Sequence, residues 1–192
     1  MTRDELIDLF RRSGALLDGH FRLSSGLHST GYLQCALVLS QPADAEALGR
    51  ALADRVRPLR PTVVLSPALG GIVIGQEIGR ALRVRAIFAE RQDGALMLRR
   101  GFMIAESDRV LVVEDVLTTG GSTRETMNVA AAAGGHVVGV ASIVDRSGGA
   151  VRFDVPYESL LAMNLPTYQP DACPLCAQGL PVVKPGSRPV LA

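Results

Sequence analysis

Lysine is almost missing from this chain: Lys184 is the single one, and the other 19 of the 20 basic residues are arginine. The distinction bears on catalysis, because an ammonium is a compact charge that titrates readily while a guanidinium is a permanently charged fork. Net charge is also missing. Twenty basic residues face 19 acidic ones, which leaves no global pull toward nucleic acid or an anionic membrane, so any anion site must be local. No run of about 18 apolar residues occurs, and residues 1–14 are charged rather than signal-like, which predicts a cytoplasmic protein.

Cysteine is scarce as well. Cys35 stands alone in an apolar run, and Cys173 and Cys176 form one C-x-x-C near the end, too few for a disulfide framework. That spacing raises zinc, but a closed structural site needs four ligands, and no second C-x-x-C or H-x-x-x-H pair exists. Only His20, His28 and His136 remain, scattered along the chain. The expectation is therefore a reversible disulfide or a packed turn, and no dedicated metal cage.

What is present suits one domain, since 192 residues bury roughly 70% of the unfolded surface on folding. Thr2-Arg3-Asp4-Glu5 has capping-box spacing and opens an amphipathic helix with Leu6, Ile7, Leu9 and Phe10 on one stripe, ending near Gly14. Residues 15–40 mix β-like pieces with Ser-Ser-Gly and Thr-Gly turns, which predicts an irregular flap over a ligand. From Pro42 a helix with Ala45, Leu48, Leu52 and Val56 on one face runs until Pro58 and Pro61 stop it.

Apolar runs at 62–66, 84–89, 110–113 and 136–144 alternate with helical patterns. The fold class is α/β, a doubly wound and mainly parallel sheet flanked by helices, with ligands gathered outside the carboxyl ends of the strands. Those ends carry Ser66 to Gly71, Glu90-Arg91, Glu114-Asp115 and Asp145-Arg146. Six of the 11 prolines fall from residue 166 onward, which excludes a long helix or a central strand there. The predicted organisation is an N-terminal helix and hood at 1–40, an α/β core at 41–165, and a tail at 166–192 lying on the core or on a partner subunit.

One stretch carries the most chemistry. The strand at 110–113 runs without a break into Glu114 and Asp115, then into Thr118-Thr119-Gly120-Gly121-Ser122-Thr123 and a helical pattern from about residue 122 to 133. Backbone N–H groups at such a helix start favour an anion. Ionised carboxylates only accept hydrogen bonds, so they suit hydroxyls or a hydrated metal. One molecule that carries both features is a ribose 5-phosphate. A second anion cradle is available at Gly70-Gly71, where the alternative is that the glycines merely permit tight packing. Residues 91–102 hold three arginines around Gly94-Ala95 and read either as a mobile lid or as a β-hairpin with a solvated charged face.

The 110–123 stretch resembles the 5-phosphoribosyl-1-pyrophosphate (PRPP) motif of type I phosphoribosyltransferases. Together with residues 19–32, 66–72, 88–91, 98–102 and the ending Cys173 to Arg188, it is similar to the orotate phosphoribosyltransferase branch of that family. The resemblance implies transfer of the phosphoribosyl group from PRPP to orotate in pyrimidine biosynthesis. It assigns PRPP to Glu114, Asp115, Thr118, Thr119, Gly120, Gly121, Ser122 and Thr123, with Ala68, Leu69, Gly70, Gly71 and Arg91. It assigns orotate to Arg146, Ser24, Ser25, Gly26, Tyr32 and Thr118, and catalysis to Asp115, Arg91, Arg99 and Arg100. Mg2+ would arrive with PRPP near Asp115, and a homodimer would share its active sites through Arg91.

This chain departs from the family pattern in having no lysine in the lid, where Ala95 follows the glycine, and in having Ser24 where many relatives carry lysine. Either Arg91, Arg99 or Arg100 supplies the missing charge, or turnover falls. The alternatives are a purine phosphoribosyltransferase and a non-catalytic PRPP-sensing regulator, the latter lacking here the basic surface that DNA binding needs.

Overall fold

The computed structural model describes residues 1–23 and 25–185; Ser24 and the residues from Gly186 to the end, which include part of the tail motif, lie outside the described residues. The capping box forms, with Thr2 N–H donating to Glu5 Oε2 at 2.8 Å and Glu5 N–H donating to Thr2 Oγ1 at 3.3 Å. It starts helix α1 (Arg3–Arg12), whose Leu6, Leu9 and Phe10 are buried in one cluster with Leu48 and Leu52.

The region read as an irregular flap is regular. Strands β1 (Leu16–Arg22) and β2 (His28–Leu33) pair antiparallel, and a short helix α2 (Cys35–Leu39) follows. Serine and glycine mark the turn between the strands, and the pairing is broken only by a register shift between Asp18 and Phe21. Next come α3 (Pro42–Val56), β3 (Val63–Pro67), α4 (Gly70–Leu82), and the antiparallel hairpin of β4 (Arg85–Gln92) and β5 (Ala95–Leu98). The arginine-rich segment therefore folds as a hairpin turning at Asp93-Gly94.

Strand β6 (Arg109–Leu117), helix α5 (Gly121–Ala132) and strand β7 (His136–Asp145) complete the pattern read from the sequence. A further strand, β8 (Tyr157–Ala162), extends the sheet beyond β7, where the sequence reading had placed the last strand. Its half-buried Tyr157, Glu158 and Ser159 dilute the apolar signal of Leu160 and Leu161. The tail contributes β9 (Thr167–Tyr168) and the four-residue helix α6 (Pro174–Ala177), as its prolines require.

The main sheet has the order β5-β4-β3-β6-β7-β8, parallel except for the β4–β5 hairpin, and β9 adds to β1 and β2 in a second sheet of order β1-β2-β9. Strand β6 is interior, and Val110, Leu111, Val112 and Val113 are each 0% exposed. The period of two divides them between faces. Leu111 and Val113 join the core formed with α1, α3 and α4, whereas Val110 and Val112 join the core that includes Ala130 of α5. The apolar run thus places Glu114 and Asp115 near the carboxyl end of β6, which stays paired with β7 as far as Leu117, so the carboxylates follow the apolar run without ending the strand.

Leu111→Ala removes a fully buried side chain from the interior strand, and we expect a loss of about 2–5 kcal/mol of unfolding free energy, measurable by urea denaturation.

Candidate active site

Glu114 and Asp115 are adjacent but differently employed. Glu114 accepts a hydrogen bond from Ser122 Oγ at 2.5 Å and another from the Thr123 hydroxyl, so both of its oxygens tie the end of β6 to the first turn of α5. Burial raises its pKa; the two hydroxyl donors oppose that, and the neighbouring Asp115 adds to it. Asp115 is raised in the same direction, chiefly by burial, against the backbone N–H of Val116 that donates to its Oδ1 at 2.9 Å.

The loop between them and α5 is built for close approach to an anion. Thr118 and Thr119 are exposed, Gly120 takes φ 76° at the helix N-cap, and a Cβ there would stand 2.9 Å from Val151 Cγ1. The first-turn N–H groups of Gly121, Ser122 and Thr123 have no intrahelical carbonyl to bond. The Thr123 side chain is fully buried and spent on Glu114, so what that residue presents to a ligand is its backbone.

The second glycine loop packs tightly and abuts Asp115. Gly71 is a packing glycine, since a Cβ there would lie 2.9 Å from Val113 O and 3.0 Å from Ser66 Cβ. Gly70 faces the site: a Cβ would lie 2.8 Å from Asp115 Oδ1 and 2.9 Å from Oδ2. Ala68, joined to Leu69 by a cis peptide, and the exposed Leu69 lead into this turn at the start of α4. The two glycine turns therefore flank one carboxylate.

Beside them opens a cavity of about 1060 Å³ lined by Thr118, Thr119, Ser25, Tyr32 and Arg146 among others. Arg146 follows β7, its backbone N–H donating to Leu117 O at 2.8 Å, which places it next to the end of β6. Its Nε is buried with no hydrogen-bond partner among the described residues, and burial lowers its pKa. Arg146 lines the cavity and has no ion-pair partner among the described residues, and a guanidinium so placed suits a planar oxyanion. Gly26 sits at φ 86° in the β1–β2 turn beside Ser25.

The three lid arginines do not line this cavity. Arg91 pairs with Glu125 of α5 at 2.6 Å, and Arg100 forms a fork on Glu90 at 2.7 and 2.8 Å while lying over the Phe88 ring. Arg100 in turn holds the Glu90 carboxyl below its ordinary range. Arg99 is exposed at the end of the hairpin.

Several cavity residues were missed by sequence reasoning. Lys184, Arg22, Arg124 and Asn164 line it with Arg146. Lys184 had a signal, as the single lysine in a chain of arginines, but only tertiary structure brings residue 184 to a site built around residue 115. The histidine reading also needs correction. His20 and His28 are not scattered in space: they lie with the free cysteines Cys173 and Cys176 in one cluster, because β1 and β2 pair and the tail folds back on them.

Because burial raises Asp115 above the ordinary Asp value of 3.8, the folded state binds its proton more tightly than the unfolded chain does. Its contribution thus favours folding as pH falls through the raised value toward 3.8, and costs stability at neutral pH. We expect Asp115→Asn to be at least as stable as the parent at pH 7, with a flatter dependence of Tm on pH between 4 and 7, while PRPP affinity falls. A collapse in Tm with affinity intact would misplace the site.

No protein-family model matches the chain. It is 55% identical over 186 residues to the orotate phosphoribosyltransferase of Carboxydothermus hydrogenoformans, covering 96% of this chain and 97% of that one. Its fold matches the crystal structure of Mycobacterium tuberculosis orotate phosphoribosyltransferase with a TM-score of 0.71 at 28% identity, over 84% of this chain and 96% of that chain. The same enzyme in complex with 5-phospho-α-D-ribosyl 1-diphosphate matches with a TM-score of 0.64 at 26% identity, over 84% and 89% of the two chains. Identity above one half along nearly the full length, on a fold that sets two glycine turns about one carboxylate, shows that this chain belongs to the orotate phosphoribosyltransferase family.

Proposed function

We propose that the cavity beside Arg146 is where orotate meets PRPP, and that the reaction of the family, phosphoribosyl transfer to orotate with release of pyrophosphate, runs between the two glycine loops. The observation that carries the placement is Arg146 itself, which lines the cavity beside Thr118 and Tyr32 and forms no ion pair among the described residues. Orotate presents a carboxylate to that fork, with Tyr32, Ser25 and Thr118 around the ring. Ser24, assigned to the same substrate by resemblance, lies outside the described residues.

The 5-phosphate takes the N–H groups at the start of α5, and the ribose hydroxyls donate to Asp115 and Glu114. Each carboxylate oxygen has a second lone pair, so Glu114 can serve a hydroxyl while it holds Ser122 and Thr123. Pyrophosphate takes the Gly70-Gly71 turn, within reach of Asp115. The donor set fits Mg2+, since Asp115 offers carboxylate oxygen and the ion needs only one or two carboxylates beside phosphate oxygens. When bound it would offset the charge of the pyrophosphate.

Breaking the C1–O bond gives the ribose oxocarbenium character, as in other glycosyl transfers. The chain's work is to hold the attacking nitrogen in line, to stabilise the departing anion and to exclude water. Within one subunit Arg91, Arg99 and Arg100 stand outside the cavity, so their part is played across a homodimer interface, with Arg91 leaving Glu125 for the neighbour's pyrophosphate. Among the described residues no helix is long and apolar enough to cross a membrane.

Arg146→Ala should raise the KM for orotate roughly 30-fold or more, the equivalent of losing one side of a buried charge pair at 2–5 kcal/mol, with the KM for PRPP changed only a few-fold. Orotate consumption followed by absorbance with PRPP and magnesium, beside adenine, hypoxanthine and uracil, checks it; unchanged orotate saturation sinks the placement. For the shared site, Arg91→Ala and Asp115→Asn subunits are each expected to be nearly inactive. Mixed by denaturation and refolding they should recover roughly a quarter of parental activity, because half the dimers are mixed and each holds one intact site. No recovery would confine Arg91 to its own subunit.

A further inference from the structure

We propose that His20, His28, Cys173 and Cys176 form a structural zinc site that clamps the C-terminal tail onto the β1–β2 hairpin. The four side chains offer one donor atom each, and these atoms all lie within 4.8 Å of one another. His20 Nε2 lies 2.9 Å from His28 Nδ1, 3.5 Å from Cys173 Sγ and 3.7 Å from Cys176 Sγ, and Cys176 Sγ lies 3.3 Å from His28 Nδ1. With bonds of about 2.0–2.1 Å to nitrogen and about 2.3 Å to sulfur, a tetrahedral zinc has edges of about 3.3 Å between nitrogens and about 3.6 Å between nitrogen and sulfur. The four distances fall within a few tenths of an ångström of those edges.

Hydrogen bonding alone does not account for the cluster. His20 Nδ1 lies 2.9 Å from Leu180 O; a carbonyl only accepts, so Nδ1 carries the proton and Nε2 presents a single lone pair. Three groups converge on that lone pair, and at most one of them can donate to it. A cation at the centre satisfies all four donors, and the Leu180 carbonyl is the outer partner that a ligating histidine commonly has. His20 and His28 are each 6% exposed and Cys173 is 3% exposed, so three of the four ligands are withdrawn from competing water. Two nitrogen and two sulfur donors in a closed tetrahedral set select zinc over harder ions such as magnesium.

The clamp answers a structural need. Among the described residues after Leu161 only Cys173 is a buried apolar side chain, so the tail has little core of its own. It is stitched to β1 by Val183 N–H on His20 O at 2.8 Å and by Arg22 N–H on Val183 O at 2.8 Å. The next residue, Lys184, lines the large cavity. A metal that fixes the turn at Cys173–Cys176 against His20 and His28 therefore also fixes the approach of Lys184. The inference rests on the cluster geometry and is independent of where orotate binds.

The test is metal analysis by plasma mass spectrometry of the full chain, purified without added metal or metal-affinity resin. About one zinc per chain is expected, and cobalt replacing it should give thiolate-to-cobalt charge-transfer absorption. Cys176→Ser, at an exposed position where the fold tolerates change, should lower zinc affinity more than about 10-fold in competition with a chromophoric chelator. Zinc-stripped protein should be cut in the tail faster by limited proteolysis. A parental chain that carries no zinc and binds none on titration overturns the proposal. So does recovery of Cys173 and Cys176 as a disulfide from cells lysed directly into alkylating agent.

Discussion

The pair of hydroxyl donations from Ser122 and Thr123 to Glu114 is the interaction on which the site depends. It locks the end of an interior strand to the first turn of the following helix, so the free N–H groups of that turn and the acidic pair form one rigid corner. Rigidity matters because the helix start offers fixed dipoles, which stabilise an anion without reorganisation only if they are held in place. Burial works against the two carboxylates, raising both pKa values, and the hydroxyl and backbone donors offset part of that cost. A strand buried on both faces supplies the anchorage that makes such an arrangement sustainable.

Around that corner the chain divides its labour by element. The turn after β3 brings Gly70 against Asp115, while Gly71 and Gly75 allow α4 to settle onto Ser66 and Val113. The end of β7 supplies Arg146, and the hairpin of β1 and β2 with the tail forms the far wall of the cavity. Strand ends supply fixed charge and loops supply approach, as expected for ligands at the carboxyl edge of a parallel sheet. The hairpin that carries Arg91 is held to α5 by the surface ion pair with Glu125, while Arg100 pairs with Glu90 of β4 within the same segment. Exposed pairs of that kind are weak enough to be exchanged for a phosphate.

The far wall has a different logic. A tail with six prolines from residue 166 onward buries little and cannot hold itself in place by packing. Two histidines from the hairpin and two cysteines from the tail bring four soft and borderline donors to one point, and a zinc there does the work that a hydrophobic core does elsewhere. Lys184 stands immediately beyond that clamp, so the chain's single lysine is presented to the cavity by the tail and not by the lid.

Legibility followed distance along the chain. The capping box of α1, the buried face of α3, the apolar run of β6 and its passage into Glu114-Asp115 and the glycine turn are local patterns, and residues a few positions apart determined them. So did the alternation of strands and helices that implies a parallel sheet. Strand β8 was not legible because half-buried polar residues break its apolar run, and the antiparallel pairing of β1 with β2 was hidden by turn residues between them. Only the tertiary structure decided that residues 20, 28, 173 and 176 share one point, that Lys184 and Arg146 line one cavity, and that Gly70 rather than Gly71 abuts Asp115. Those are contacts between segments that periodicity does not relate, made when the sheet order and the path of the tail are set by burial of the core.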